Sequence, residues 1–139
     1  MREPFHQMYA HLIWSTWDRL PLLTPERETA VYACIQAECD RLKVDVLAIG
    51  GIENHVHLLV RYDPVCSVSE IVKQVKGASS HLVTHVVSPK EFFKWQGAYM
   101  SYSVSPSAVP RIRNYVLRQK EHHRDQTDLP EHEFPEDPG

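Results

Sequence analysis

His55 and His57 stand two apart in Gly51-Ile52-Glu53-Asn54-His55-Val56-His57-Leu58-Leu59-Val60. The apolar, β-branched run reads as a strand. Side chains alternate between faces there, so the two imidazoles share one face while Val56 and Leu58 take the other. Two imidazoles on one face can reach one borderline divalent ion, but two ligands are too few and a third must come from elsewhere. Tyr115 and Gln119 are four apart and therefore one helical turn from each other. The glutamine carbonyl oxygen can complete a site begun by two histidines, which puts the tyrosine beside the ion. A tyrosine hydroxyl is a weak nucleophile at neutral pH. A phosphodiester polarised by the ion and attacked in line still accepts it, giving a phosphotyrosyl linkage. Each signal alone has an ordinary explanation, a hydrogen-bonded histidine pair or a core aromatic on an amphipathic helix. Together they point to one site.

The elements that must hold these residues are legible in order. Residues 9–16 are rich in β-favouring side chains and open the fold as a strand. Thr24 before Pro25 predicts a helix start, with Glu26 and Glu28 near its positive end and Val31, Ile35, Cys39 and Leu42 on one face. Residues 44–49 form a second strand ended by Gly50-Gly51, and the histidine strand follows as its antiparallel partner. Ser67-Val68-Ser69-Glu70 fits a capping box and starts a second helix, with Val68, Val72, Val75, Ser79, Leu82 and Val86 as its inward stripe. The small residues of Lys76-Gly77-Ala78-Ser79-Ser80 predict close packing by a neighbour. Residues 92–104 read as a loop and a fourth strand, and Ser107 as the cap of a last helix running to about His123. The order βαββαβ plus one helix predicts an α+β, ferredoxin-like split βαβ sandwich. It has a four-stranded antiparallel sheet, helices on one face, and a C-terminal helix bearing Tyr115.

One domain is expected over residues 1–124, followed by an acidic, mobile tail over 125–139 with three prolines. The tail holds six of the 18 acidic residues and no Lys or Arg, so a chain with net charge -3 has a body of about +3. From Lys73 to Arg124 the charge is strongly basic, which suits a phosphate backbone. Lys73, Lys76, Arg111, Arg113 and Arg118 are the expected DNA contacts, and the tail carboxylates could fold back to compete for the arginines. Trp95, Tyr99 and Tyr102 could stack unpaired bases, although most such residues are core. Three cysteines without a Cys-x-x-Cys argue against a disulfide framework and a zinc knuckle. No membrane span or signal peptide is read, and a cytoplasmic protein is expected.

The segments quoted above, with Trp95-Gln96-Gly97-Ala98-Tyr99, Tyr102-Ser103-Val104-Ser105 and Tyr115 through His123, resemble the small bacterial insertion-sequence transposases of the HUH single-tyrosine superfamily. The resemblance spans residues 9–123 in the family's order. It implies His55, His57 and Gln119 as metal ligands, Tyr115 as nucleophile and Mg²⁺ or Mn²⁺ as cofactor. It also implies cleavage and rejoining of single-stranded DNA at hairpin-bearing transposon ends, through a 5′-phosphotyrosine and a free 3′-hydroxyl. Members are typically homodimers, in which one subunit's tyrosine helix can complete the other's histidine site. Glu53-Asn54 stands where many members have Pro-Asp, and Asn there is common in the related repeat-associated tyrosine transposases. Gln119 followed by His122-His123 favours the insertion-sequence branch. The competing classes are a non-catalytic single-stranded nucleic-acid-binding module and a small metal-dependent hydrolase. The first leaves Tyr115 and Gln119 unexplained, the second the tyrosine.

Overall fold

The structure is a computed structural model that describes residues 3–125 and 128–133. Its strands are β1 (Met8–Ser15), β2 (Asp45–Ile52), β3 (His55–Tyr62) and β4 (Met100–Val104). They form one antiparallel sheet in the order β2-β3-β1-β4, the split βαβ arrangement expected. The register sets His57 opposite Ile13 of β1 and Gly50 of β2, near the sheet centre. Helices α1 (Pro25–Arg41) and α2 (Val68–Leu82) begin where sequence places them: Thr24 accepts from the Arg27 amide at 3.4 Å, Ser67 from the Glu70 amide at 3.2 Å. Such caps are each worth roughly 1 kcal/mol.

Alternation along β1 and β3 sorts the core into two layers. Leu12, Trp14, Val56, Leu58 and Val60 pack on Val31, Ile35 and Cys39 of α1 and on Ile71, Val72 and Val75 of α2. Trp95 joins this layer, its ring edge-on to Trp14, so it is core and not a stacking surface. The opposite face carries His11, His55, His57 and Leu59. A smaller cluster of Ala48, Leu59, Ile112 and Val116 holds the last helices there. Among the described residues no helix is long and apolar enough to cross a membrane.

Three local expectations are corrected, the inward place of Val86, the single last helix and the Ser107 cap, and one is narrowed to a single residue. A π-helical turn over Val83–Val87 shifts the helical phase after Leu82, so Val83 takes the inward place and Val86 stands 67% exposed. Close packing in the small-residue run falls on buried Ser79, which accepts from the Trp95 indole at 3.0 Å, while a Cβ at Gly77 would meet nothing. The last helix is two: α3 (Val109–Leu117) and α4 (Gln119–Arg124), broken at Arg118, whose φ of -109° and ψ of 28° are not helical. Ser107 does not cap α3. It lies in the preceding 3₁₀ turn, its hydroxyl 3.4 Å from that of Ser105.

At nine residues α3 is too short to persist alone. Buried Ile112 and Val116 hold it on the sheet, each contributing roughly 1.5–3 kcal/mol. The backbone at Val116 rests directly over Gly50, so close that any Cβ there would overlap the Val116 carbonyl. That absence of a side chain brings Tyr115 down onto the histidine face.

Candidate metal and nucleophile site

His55 and His57 are both buried on the α3 side of the sheet. His55 Nδ1 donates to the Asn54 side-chain oxygen at 2.8 Å, and His57 Nδ1 lies 2.7 Å from Nε2 of buried His11. With each Nδ1 engaged, both rings turn Nε2 toward the same point. His123 Nε2, from α4, reaches it as well. Glu133 Oε1 faces all three, 3.1 Å from His57, 3.3 Å from His55 and 3.4 Å from His123. The Tyr115 hydroxyl donates to the other carboxylate oxygen, Oε2, and accepts the Leu129 amide at 2.9 Å. Nucleophile candidate and ligand candidates thus meet on one carboxylate, within one chain.

The donor set suits a divalent ion. Ligand atoms of His55, His57, His123 and Glu133 all lie within 4.8 Å of one another. Donors around one ion at roughly 2.0–2.2 Å are themselves separated by roughly 3.0–3.5 Å, and the three imidazole to carboxylate separations match. Gln119 is buried behind His123. Its amide nitrogen donates to the Tyr115 carbonyl at 3.1 Å and its oxygen accepts from His123 Nε2 at 3.1 Å.

Electrostatics follow burial. Desolvation among neighbouring imidazoles pushes His57 down to about 4, against the pull of Glu133, so the ring is neutral, with a single lone pair that one tautomer places on Nε2. Burial opposes ionisation of Glu133, but hydrogen bonds from His55, His57 and Tyr115 outweigh it and hold the carboxyl well below its usual range. Burial and the Glu133 carboxylate raise Tyr115 well above an ordinary phenol.

The remaining predicted residues divide. Arg111, Arg113 and Arg118 are exposed on or just after α3; Arg111 lines a cleft with His11, Tyr102 and His132, and Arg113 Nε donates to the Leu47 carbonyl at 3.1 Å. Lys73 and Lys76 belong to α2 on the opposite layer, and Lys76 Nζ donates to the Gln96 carbonyl at 2.6 Å. The structure does not bring these lysines to the tyrosine. His123 and Glu133 were not read as ligands. A histidine four residues beyond Gln119 was the available signal for the first, while the second has none in local sequence. The acidic tail reaches the histidines, and among the described residues no ion pair joins it to Arg111, Arg113 or Arg118. Residues 134–139 lie outside the described residues.

Beside the site runs a cleft of about 380 Å³ lined by Arg19, Asn54, His55, His123 and Asp128. It adjoins, through Ile52 and His123, a second of about 500 Å³ lined by Lys120 and Arg124.

Comparisons with known proteins give the family and the fold. A profile of the family described as "Transposase IS200 like" matches residues 4–119. The chain is 26% identical over 120 residues to the ISDra2 transposase TnpA of Deinococcus radiodurans, covering 82% of this chain and 85% of that one. It is similar to a crystal structure of a candidate transposase from D. radiodurans R1, with TM-score 0.66, 24% identity, and 84% and 93% of the two chains covered. It is also similar in fold to a REP-associated tyrosine transposase bound to a REP hairpin, with TM-score 0.65, 11% identity, and 92% and 74% covered.

Proposed function

Because this chain belongs to the IS200-like transposase family, whose members are single-tyrosine DNA endonucleases and strand transferases, we propose that it cleaves and rejoins single-stranded DNA at hairpin-bearing element ends through Tyr115. The observation that carries this reading is that one carboxylate meets both halves of the site, Oε1 against three imidazoles and Oε2 against the tyrosine hydroxyl. A phosphodiester, whose two non-bridging oxygens share one negative charge as a carboxylate's do, fits the same pair of contacts.

His55 and His57 would hold a divalent ion, with the third protein donor drawn from the His123 and Gln119 pair. With the His123 proton on Nδ1 its Nε2 would be free to hold the ion, and with the proton on Nε2 the Gln119 oxygen would keep a second lone pair for it. Imidazole donors favour Mn²⁺ over the harder Mg²⁺. The ion would polarise a non-bridging oxygen of the scissile phosphate and offset charge in the transition state. Tyr115 Oη attacks phosphorus, forming the O–P bond as the bond to the 3′ oxygen breaks. The tyrosine loses its proton, the 3′ oxygen gains one, and the products are a 5′-phosphotyrosine and a 3′-hydroxyl. Attack by a 3′-hydroxyl on that linkage reverses the step and rejoins DNA without an external energy source. Docking of α3 on Gly50 aims Tyr115, and the cleft past Arg19, Lys120 and Arg124, which also carries Glu28, Glu53 and Asp128, leads to the site. The exposed Arg111, Arg113 and Arg118 contact phosphates in this reading, with Lys73 and Lys76 serving a hairpin or partner on the other side. A homodimer in this reading joins two sites that are each complete, since Tyr115 lies over its own chain's histidines.

The test is covalent. With labelled element-end single strands and Mn²⁺, the protein should form an adduct that survives denaturing electrophoresis. Tyr115→Phe should abolish it while binding the strand at least as tightly, since only the attacking oxygen and its two contacts to Leu129 and Glu133 are lost. A protein-linked 5′ fragment in the Phe variant would overturn the assignment.

A further inference from the structure

The segment that carries Glu133 does more than touch the site. Leu129 donates its amide to Tyr115 Oη, Tyr102 donates its hydroxyl to the Glu133 carbonyl at 2.8 Å, and the His132 ring sits 5.3 Å from that of Tyr115. Three contacts, two on Tyr115 of α3 and one on Tyr102 of β4, therefore seat residues 129–133 over the nucleophile. The Glu133 side chain is 12% exposed, a burial that a carboxylate sustains only where its oxygens are paired.

We propose that residues 128–133 are a built-in competitor of substrate, with the Glu133 carboxylate seated in the place of the scissile phosphate. The inference rests on the function proposed above. Its geometry is that of a substrate mimic: one oxygen lies on the ligand nitrogens where a non-bridging phosphate oxygen must bind, and the other on the tyrosine that must attack. Tyr115 is locked at the same time. Its hydroxyl donates to Glu133 and one of its lone pairs receives the Leu129 amide, so the oxygen is held in contacts that a phosphodiester must displace. The strap and the strand cannot occupy the site together.

The competitor is tethered, so its effective concentration is high and only the open fraction binds DNA. Once an ion is bound, Glu133 is also positioned to cap it. Removing the carboxylate should then move two quantities in opposite directions: Mn²⁺ affinity falls, and single-strand affinity at saturating Mn²⁺ rises. An essential catalytic ligand would lower both.

The experiment uses the full chain, wild type and Glu133→Ala, with a fluorescently labelled mixed-sequence single strand as probe and Mn²⁺ binding measured separately by calorimetry. Strand affinity in Glu133→Ala should rise roughly tenfold or more, the gain expected if the strap is closed about nine-tenths of the time. Leu129→Pro, which removes the amide donor together with the leucine side chain but leaves the carboxylate, should give a smaller gain of the same sign. Glu131→Ala removes the same charge from an exposed neighbour and should change little, separating seat occupancy from general repulsion of DNA. Unchanged or weakened strand binding in Glu133→Ala overturns the inference, as does an equal gain in Glu131→Ala. Tighter strand binding with no covalent adduct from any variant leaves the competitor standing and overturns the tyrosine assignment. Adducts at equal yield from wild type and Glu133→Ala, with equal strand affinity, do the reverse.

Discussion

Nε2 of His11 lies 2.7 Å from Nδ1 of His57, and both rings are buried with at most 1% exposure. To offer Nε2 to an ion, neutral His57 must carry its proton on Nδ1, and His11 is the group that accepts it. A neighbour that fixes the tautomer and ring angle of a ligand is commonly worth 10- to 100-fold in metal affinity. His11→Ala should weaken Mn²⁺ binding by about that factor, and His11→Gln, which restores an acceptor oxygen, should recover part of it. Calorimetric titration decides. Equal affinity in wild type and His11→Ala would show that the contact only fills space.

His55→Ala or His57→Ala should abolish tight Mn²⁺ binding and adduct formation together, because neither ligand has a substitute on that face. Gln119→Ala and His123→Ala should each cost less, since the two atoms lie 3.1 Å apart and one can serve for the other. The double variant should fall as far as His57→Ala. If Gln119→Ala alone matches His57→Ala, glutamine is the direct third ligand and His123 is not a donor.

How far the sequence foretold this site depends on the range of the interaction. The shared face of His55 and His57 follows from strand alternation, and the caps at Thr24 and Ser67 from side chains three residues from their partners. The sheet order follows from element order. Tyr115 and Gln119 came from helical spacing, yet the helix breaks at Arg118 between them. Nothing local marks that break, on either side of which α3 packs on β2 and β3 and α4 on β2. The π-turn at Val83–Val87 is hidden similarly, because one extra residue per turn leaves composition unchanged. Glu133 is 76 residues from His57, in a proline-rich acidic stretch without periodicity. Only tertiary closure makes it a buried partner of three histidines.

Acid should unfold this protein through its buried histidines. Burial, with neighbouring imidazoles, holds His57 at about 4 and His11 at about 3, whereas both return to about 6.5 in the unfolded chain. Between pH 6.5 and 4 the unfolded state therefore binds more protons than the folded one, so stability falls as pH falls. Two such groups give a slope of up to roughly 2.7 kcal/mol per pH unit near pH 5. The depressed Glu133 adds loss of the same sign below its usual range. Urea midpoints in chelator at pH 7.5 and 5.0 test this, and a flat profile would contradict it.

Two glycines should respond oppositely to the same substitution. At Gly50 a Cβ would overlap the Val116 carbonyl, a backbone group with no alternative rotamer, so the clash is relieved only by lifting α3. Overpacking a flexible side chain costs roughly 1–3 kcal/mol, and a backbone obstacle belongs at or above the top of that range. Lifting α3 also carries Tyr115 away from His57, whose ring centroid is now 6.0 Å from its own. Gly50→Ala should therefore lower thermal stability by about 3 kcal/mol or more and remove the covalent adduct even in the fraction that remains folded. Gly77, inside α2, faces open space, and Ala there removes backbone entropy from the unfolded chain without a clash. Gly77→Ala should raise stability by roughly 0.5–1 kcal/mol and leave the adduct unchanged. Thermal melts paired with the adduct assay separate the cases. A Gly50→Ala protein as stable and as active as wild type would mean that α3 does not rest on β2, and the placement of Tyr115 over the histidines would fall with it.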